Sequence, residues 1–175
     1  MNPDTRCARI RVMLSDVDGV LTDGRITFDN NGVESKTFHV RDGLGIRLWR
    51  HAGHAFGIIT ARSSQIVRNR AAELGIAFVR QGVGDKWDAI GQILREEGAA
   101  PDEFCYIGDD LPDIRALREV GFGIAVADAC EEAKAAADWI TSSAGGHGAV
   151  REAVEFILKR QGRWDTALDA YGGIH

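Results

Sequence analysis

The sequence has few cysteines and no long apolar run, and both shortages narrow what the chain can be. Its three cysteines, Cys7, Cys105 and Cys130, are odd in number and far apart, unlike the paired spacing of a zinc site or a disulfide framework. We therefore expect reduced, mostly buried thiols. No apolar stretch reaches the roughly 20 residues of a membrane-spanning helix, and the first residues lack the charged-then-apolar order of a secretion signal. These absences predict a cytoplasmic protein without a membrane partner.

A concentrated positive charge is also missing. The formal net charge is -5, and the 21 Lys and Arg residues are scattered among 26 Asp and Glu residues. A phosphodiester backbone is usually recognised by a basic stripe, so we expect no nucleic-acid partner. The length of 175 residues, with 45% hydrophobic and 27% charged residues, is typical of one globular domain. We predict a single domain over residues 1–175.

Short apolar segments rich in Val and Ile alternate with amphipathic segments along most of the chain. Five segments are predicted to be buried strands: residues 12–14, 56–59, 77–79, 104–107 and 123–126. Six segments are predicted to be helices: residues 46–50, 66–74, 87–95, 114–120, 131–137 and 149–160. Such alternation is typical of a parallel sheet with right-handed crossover helices. We therefore predict an α/β fold with a doubly wound parallel sheet.

One segment departs from this alternation. Residues 25–28 and 36–40 alternate polar with apolar side chains on either side of Asn30-Asn31-Gly32, where Asn-Gly favours a tight hairpin turn. We predict a β-hairpin flap over about residues 25–40. An isolated two-stranded ribbon is marginal in water, so its apolar side chains should pack on the parent domain or on another subunit. Beyond the last helix, about residues 162–175, we expect a flexible tail.

Two carboxylates follow directly on the first predicted strand, in Asp16-Val17-Asp18-Gly19. Residues two apart in an extended chain project to the same side. Asp16 and Asp18 can therefore converge beyond the carboxyl end of the strand, where open α/β sheets bind their ligands. Taken alone, the pair could equally cap a turn.

Three further polar elements follow later strands. Thr60 ends the second strand, Lys86 opens the helix after the third, and Gly108-Asp109-Asp110-Leu111-Pro112-Asp113 follows the fourth. Each has a purely structural alternative, since Thr60 and the Asp cluster could cap helices and Lys86 could be a solvated surface charge. All four elements should nevertheless gather at one edge of the sheet. This coincidence favours a site for chemistry.

Phosphoryl transfer needs these residue types. A phosphate dianion repels a carboxylate nucleophile, so a divalent cation and a fixed ammonium must offset the charge before in-line attack. Magnesium prefers oxygen ligands. Lys86 could supply the ammonium, Thr60 could hold phosphoryl oxygens with nearby backbone N–H groups, and a second carboxyl group could protonate the leaving alcohol. We therefore predict a Mg²⁺-dependent phosphatase of small metabolites.

These elements resemble the motifs of a known superfamily. Its four motifs, in its own order, are similar to Asp16-x-Asp18, Thr60, Lys86 and Gly108-Asp109-Asp110-x-x-Asp113. The superfamily is that of the haloacid dehalogenase phosphotransferases. The resemblance implies that Asp16 is the nucleophile that becomes aspartyl-phosphate. It also implies that Asp18 protonates the leaving group and later activates water, while Thr60 and Lys86 bind and neutralise the phosphate.

The same resemblance implies a set of magnesium ligands. They are Asp16, the backbone carbonyl of Asp18, and Asp109. Asp110 and Asp113 would orient metal-bound water or the motif lysine, and the division of these two roles stays open.

The likeness extends over nearly the whole chain to the 3-deoxy-D-manno-octulosonate 8-phosphate phosphatase subfamily. The segments that carry it are 16–24, 40–46, Gln81-Gly82, 108–111, 125–129 and 145–152. The resemblance implies a phosphatase without a cap domain that acts in lipopolysaccharide precursor synthesis. It also implies a homotetramer in which the hairpins of four subunits associate and a neighbouring C-terminal tail helps to close each active site.

The implied substrate carries a sugar-acid carboxylate besides its phosphate, so further cationic groups are needed. By resemblance, Arg62 and Arg70 reach toward that carboxylate, although each could also be a helix-surface charge. Arg62 favours the eight-carbon substrate, because relatives acting on nine-carbon sialic-type sugars tend to carry an acidic residue there. A phosphatase of a nonulosonate 9-phosphate or another sugar phosphate is the alternative. A non-catalytic tetrameric scaffold is disfavoured because no motif carboxylate is missing.

Overall fold

The structure of the protein is a computed structural model that describes residues 3–169 and 171–172. Its strands are β1 (Val12–Ser15), β2 (Thr27–Phe28), β3 (Glu34–Ser35), β4 (Ala55–Thr60), β5 (Phe78–Gln81), β6 (Phe104–Gly108), β7 (Phe122–Ala125) and β8 (Trp139–Ile140). Its α-helices are α1 (Pro3–Cys7), α2 (Val40–His51), α3 (Gln65–Leu74), α4 (Lys86–Glu97), α5 (Ile114–Glu119), α6 (Glu131–Ala136), α7 (Ala149–Arg160) and α8 (Trp164–Asp169). Two 3₁₀ turns cover Pro101–Glu103 and Leu111–Asp113.

Six strands form one parallel sheet in the order β5-β4-β1-β6-β7-β8. β1 lies in the middle of the sheet, between β4 and β6. After β1 the chain adds β4 and β5 on one side, then crosses over and adds β6, β7 and β8 on the other. The strand order therefore reverses at β1. Ligands of open α/β sheets bind at such a reversal. The predicted doubly wound α/β fold is confirmed. Of the six strands of this sheet, the pattern missed only β8, whose two residues are too few to show an alternation.

The core lies where the sheet meets its helices. Every residue of β1, β6 and β7 is buried, as expected of parallel strands covered on both faces. Between β1 and α2 the described chain adds only the hairpin, so the expected absence of a cap domain is confirmed. Cys7 and Cys105 are buried, Cys130 is partly buried, and all three are free thiols. Among the described residues, no helix is both long enough and apolar enough to cross a membrane.

The flap is a real hairpin, but its second strand is not where we predicted it. Thr27 lies opposite Ser35 and Phe28 opposite Glu34, in an antiparallel pair of two residues per strand. Pairing therefore ends before residues 36–40, and Val40 already opens helix α2.

The turn of the flap explains the shift. The Asp29 carboxylate accepts hydrogen bonds from the backbone N–H groups of Asn31 (2.9 Å) and Val33 (2.8 Å). This aspartate-capped loop replaces the predicted tight turn, and Gly32, with a φ of 78°, is its residue of positive φ. Local hydrogen bonding by Asp competes with the Asn-Gly preference and prevails here.

The prediction of a flexible tail is wrong for residues 164–169, which form helix α8. Ala167 is fully buried, and the Trp164 ring lies under the Arg151 guanidinium at 5.5 Å and the Lys159 ammonium at 5.1 Å. A six-residue helix is too short to reveal a period in the sequence. Residues 170 and 173–175 of the predicted tail lie outside the described residues.

Candidate active site

The chain leaves β1 in a loop that presents Asp16 and Asp18 at the carboxyl end of the sheet. Three successive backbone N–H groups, of residues 20–22, donate to the Val17 carbonyl oxygen. The buried Thr22 hydroxyl donates to the same oxygen at 3.3 Å. The loop is therefore closed by its own hydrogen bonds. Thr22 was not singled out in the sequence, where a polar residue among loop residues carries no distinct signal.

Lys86 opens α4 and brings its ammonium against Asp16. The Lys86 side chain is 4% exposed, and its Nζ lies 2.9 Å from Asp16 Oδ2 and 2.5 Å from Asp113 Oδ1. Burial acts to lower the pKa of Lys86, but the two carboxylates outweigh it and raise that pKa. Lys86 therefore stays an ammonium at neutral pH.

Asp113 anchors this lysine and the loop around it. Its fully buried carboxylate also accepts from the Tyr106 hydroxyl at 2.6 Å, and its Oδ2 accepts from the N–H groups of Asp109 (3.0 Å) and Asp110 (3.2 Å). Both carboxylate oxygens are thus committed to partners. We name Asp16, Lys86, Asp113 and Tyr106 the inner cluster.

Asp109 has the features of a metal ligand. Its Oδ1 is buried and has no hydrogen-bond partner. A Cβ at Gly19, whose φ is 97°, would lie 2.0 Å from Asp109 Oδ2, so only glycine lets the carboxylate approach the loop. Burial, followed by repulsion from Asp16 and Asp113, raises the pKa of Asp109 to about 8.

Carboxylate oxygens of Asp16, Asp109 and Asp113 all lie within 4.8 Å of one another. Burial raises the pKa of Asp16 to about 6 even though Lys86 acts to lower it. A bound divalent cation would offset this crowding of buried negative charge, and oxygen donors are what Mg²⁺ prefers. Because Asp113 is already saturated, the side chains that fit a magnesium ion are Asp16 and Asp109.

Thr60 and Arg62 lie at the same edge of the sheet. Thr60 is the last residue of β4, the strand next to β1, and is 2% exposed. Its hydroxyl accepts from the Arg62 N–H at 3.3 Å. The hydroxyl can also donate, so it remains able to hold an anionic oxygen.

Asp18 faces a different set of charges. Its Oδ1 contacts the ammonium of Lys36, and its Oδ2 lies 3.9 Å from Arg62 Nε. Glu34 Oε1 joins the two cations, 2.6 Å from Arg62 Nη2 and 3.5 Å from Lys36 Nζ. We name Asp18, Arg62, Glu34 and Lys36 the outer quartet. Sequence analysis missed Glu34 and Lys36, although their spacing of two in an extended segment places them on one face.

Two predicted site residues have other partners. Arg70 Nη1 lies 2.8 Å from Glu73 Oε2, and its guanidinium lies 5.7 Å from the Phe38 ring centroid. The exposed Asp110 accepts from the Leu111 N–H at 2.8 Å and so caps the 3₁₀ turn. Asp113, rather than Asp110, therefore contacts the lysine. A substrate contact by Arg70 stays a prediction.

Comparison with known proteins gives this arrangement a context. The haloacid dehalogenase-like hydrolase family matches residues 76–153. The 3-deoxy-D-manno-octulosonate 8-phosphate phosphatase of Salmonella typhi is 44% identical over 163 residues, which cover 93% of this chain and 87% of that protein. The protein of the same name from Haemophilus influenzae is 42% identical over 90% of this chain and 89% of its own length.

Solved structures agree with the sequence relatives. The Moraxella catarrhalis 3-deoxy-D-manno-octulosonate 8-phosphate phosphatase, in complex with magnesium, phosphate and a KDO molecule, superposes with a TM-score of 0.93 at 43% identity, covering 96% of this chain and 97% of that one. The cobalt-bound Haemophilus influenzae enzyme gives a TM-score of 0.90 at 40% identity, over 95% and 98% of the two chains. The chain belongs to the 3-deoxy-D-manno-octulosonate 8-phosphate phosphatase family of haloacid dehalogenase-like hydrolases.

Proposed function

We propose that this chain is a Mg²⁺-dependent phosphatase that hydrolyses 3-deoxy-D-manno-octulosonate 8-phosphate through an aspartyl-phosphate on Asp16. One observation carries the proposal. The Asp16 carboxylate directly follows β1 and lies between the Lys86 ammonium, at 2.9 Å, and Asp109, which has a buried oxygen without a hydrogen-bond partner. Relatives aligned over 93% of the chain are named for this substrate, and a solved relative holds magnesium, phosphate and KDO.

Asp16 and Asp109, together with the backbone carbonyl of Asp18, would hold the magnesium ion. When bound, the ion supplies positive charge that offsets the repulsion between the phosphate and its carboxylate nucleophile. The remaining catalytic work falls to side chains of the chain itself.

Asp16 is the proposed nucleophile because its carboxylate is fixed from both sides. Its Oδ1 accepts the Val17 N–H at 2.7 Å, and its Oδ2 faces Lys86. In the first step a bond forms from an Asp16 carboxylate oxygen to phosphorus, and the bond from phosphorus to the sugar oxygen breaks. Lys86 and Thr60 neutralise and hold the phosphoryl oxygens meanwhile.

Asp18 is the proposed acid and base. It gives its proton to the departing sugar oxygen, which leaves as the 8-hydroxyl group. In the second step Asp18 takes a proton from water, which attacks phosphorus, and the bond to Asp16 breaks to release inorganic phosphate. Its place beside Arg62 and Lys36, rather than in the inner cluster, supports a role for Asp18 on the side of the leaving group.

The substrate assignment is tested by direct competition. With magnesium present, we expect kcat/KM for the eight-carbon 8-phosphate to exceed that for a nonulosonate 9-phosphate by at least roughly tenfold, the range that pocket contacts supply. Steady-state release of phosphate measures both rates. A preference for the nine-carbon compound would contradict the assignment, and an Asp16→Asn variant controls for contaminating phosphatase.

We also propose that the chain forms a homotetramer through its flap, with a neighbouring tail closing each site. The support is four apolar side chains on or beside the hairpin that are more than half exposed: Ile26, Phe28, Val33 and Val40. Exposed apolar groups gathered on one element mark an interaction surface. Sedimentation of the native chain and of a Phe28→Ser, Val33→Ser variant tests this. We expect a tetramer for the former and smaller species for the latter, and a native monomer would refute the proposal.

Two broader proposals complete this account. Residues 1–175 form one domain, with the flap at about 25–40 and the tail at about 162–175, since the buried apolar residues of the described chain form one cluster. The chain acts in the cytoplasm, where its three free thiols would stay reduced. Fractionation of cells would check the second point.

A further inference from the structure

The Lys36 side chain is buried although the residues on either side of it are exposed. Its side chain is 2% exposed, whereas its neighbours Ser35 and Thr37 are exposed. A lysine is almost never so buried unless it is paired. Its ammonium contacts Asp18, the proposed acid, and lies 3.5 Å from Glu34. The flap therefore delivers a positive charge to the leaving-group side of the site.

The outer quartet has hydrogen-bonding capacity left over. Asp18 Oδ2 and Arg62 Nε are both buried, and neither has a hydrogen-bond partner. They lie 3.9 Å apart, which is beyond a hydrogen bond. Unpaired buried donors and acceptors are costly. A hydroxyl group both donates and accepts, so the hydroxyl released from the sugar could satisfy the two atoms together.

Lys36 also has a donor to spare. An ammonium carries three N–H groups, and Asp18 and Glu34 can engage two of them. Lys36 faces Asp18 and not Asp16, so its remaining donor serves the leaving group rather than the attacking side. An anionic oxygen of the leaving group is the partner that a buried ammonium binds most strongly.

We propose that Lys36 is a substrate-contacting residue that selects for a leaving group bearing a carboxylate. The inference rests on the proposed function, because it names a specificity contact within that site. Glu34 is the positioning residue. It lies on the same face of the flap as Lys36, and its carboxylate contacts both Lys36 and Arg62. Selectivity for a sugar acid is thus built into the flap of the same chain.

The test measures selectivity rather than rate. For each variant, kcat/KM is determined with magnesium for the octulosonate 8-phosphate and for ribose 5-phosphate, a sugar phosphate without a carboxylate. Lys36→Met should reduce the ratio of the two values by about 10- to 100-fold, the effect of losing a hydrogen bond to a charged group. Lys36→Arg should restore most of the ratio. Arg25→Met, which removes a flap cation whose side chain is 85% exposed, should leave it unchanged.

Each outcome decides the matter. An equal loss of kcat/KM on both substrates in Lys36→Met would mean that Lys36 only supports Asp18, and no loss on either substrate would mean that it does not touch the leaving group. A similar fall in Arg25→Met would point to overall flap charge instead. All three results overturn the inference. The unmodified chain tests the proposed function separately, because a lack of preference for the carboxylate substrate would already defeat it there.

Discussion

The inner cluster and the outer quartet both consist of two cationic or hydroxyl donors and two carboxylates, yet they are built differently. The inner cluster is supplied by β6, by the start of α4 and by the chain that follows β1 and β6, and Asp113 alone satisfies a lysine, a tyrosine and two backbone N–H groups. Half of the outer quartet comes from a hairpin with two paired residues per strand. Two of its buried polar atoms have no hydrogen-bond partner.

This difference separates the residues that support catalysis from the residues that select the substrate. The inner cluster is fixed by the core, as preorganised electrostatic catalysis requires. The outer quartet has spare donors and acceptors and depends on a short hairpin outside the main sheet, as recognition of a particular leaving group requires. Changes in the inner cluster should therefore affect every substrate alike, and changes in the flap residues of the outer quartet, Glu34 and Lys36, should depend on the substrate.

The strongest test of this separation is Asp16→Asn. Asparagine keeps the size of the side chain and can still accept the Val17 N–H, and Lys86 keeps its contact with Asp113, so the chain should still fold. It cannot act as the nucleophile, and we expect kcat to fall at least roughly 10⁴-fold on every phosphate ester. Phosphate release and a thermal unfolding curve check both points. Retained turnover on any one ester would break the comparison.

The next largest effect should come from Asp113→Asn. The change leaves Lys86 and Tyr106 facing a neutral amide in a fully buried place. Breaking a buried ion pair costs about 3–5 kcal/mol, and loss of such a supporting contact lowers activity about 10- to 100-fold. Unlike Lys36→Met, it should leave the ratio between substrates unchanged.

The matched control for that prediction is Asp110→Asn. Asp110 is exposed and its carboxylate caps a turn, so the same chemical change should cost little stability and little activity. Denaturant unfolding and phosphate release compare the two variants. Equal losses in both would mean that the loop, rather than the buried carboxylate of Asp113, carries the effect.

Most side chains of the site at the carboxyl edge of the sheet could be predicted from the sequence for a physical reason. Asp16, Thr60, Lys86 and Asp109 each follow an apolar segment, and parallel strands bring such positions to one edge. Strand and helix periods were enough to place them. The division of roles between Asp110 and Asp113 was not predictable, because it depends on which carboxylate turns inward.

The flap half of the outer quartet, Glu34 and Lys36, could not be predicted in the same way. Period and turn preference describe the flap as a hairpin but do not say how the hairpin lies on the core, so the contact of Lys36 with Asp18 left no trace in the pattern. The hydrogen bonds that the Asp29 carboxylate accepts change the turn, so the second strand lies earlier in the chain than predicted. Two-residue strands and the six-residue α8 are held by tertiary packing, which a local pattern does not record.

A smaller effect should distinguish the two regions by metal binding. At a magnesium concentration about 100 times the dissociation constant, the ion should stabilise the fold by about 2.7 kcal/mol. Thermal unfolding with magnesium and with a chelator measures this. Asp109→Asn should remove the stabilisation, and Lys36→Met should keep it. If Lys36→Met also lost the stabilisation by magnesium, the two regions would not be independent. Turnover of the native chain should stop with the chelator and return when magnesium is added.

The smallest expected effect concerns neither region and separates the pH response of the fold from that of the site. His54 directly precedes β4, at the opposite end of that strand from Thr60. Its ring stacks on Trp49 with ring centroids 4.3 Å apart, and its Nε2 lies 2.9 Å from Gln161 Oε1. Burial, with a smaller contribution from Arg163, lowers the pKa of His54 below 6.5. The stability it contributes is present above that value and is lost as the pH falls through it, because only the unfolded chain then gains a proton readily. Between pH 7 and pH 5 the thermal midpoint of the chelated protein should therefore fall less steeply in His54→Gln than in the native chain, and parallel slopes would show that His54 does not report on folding.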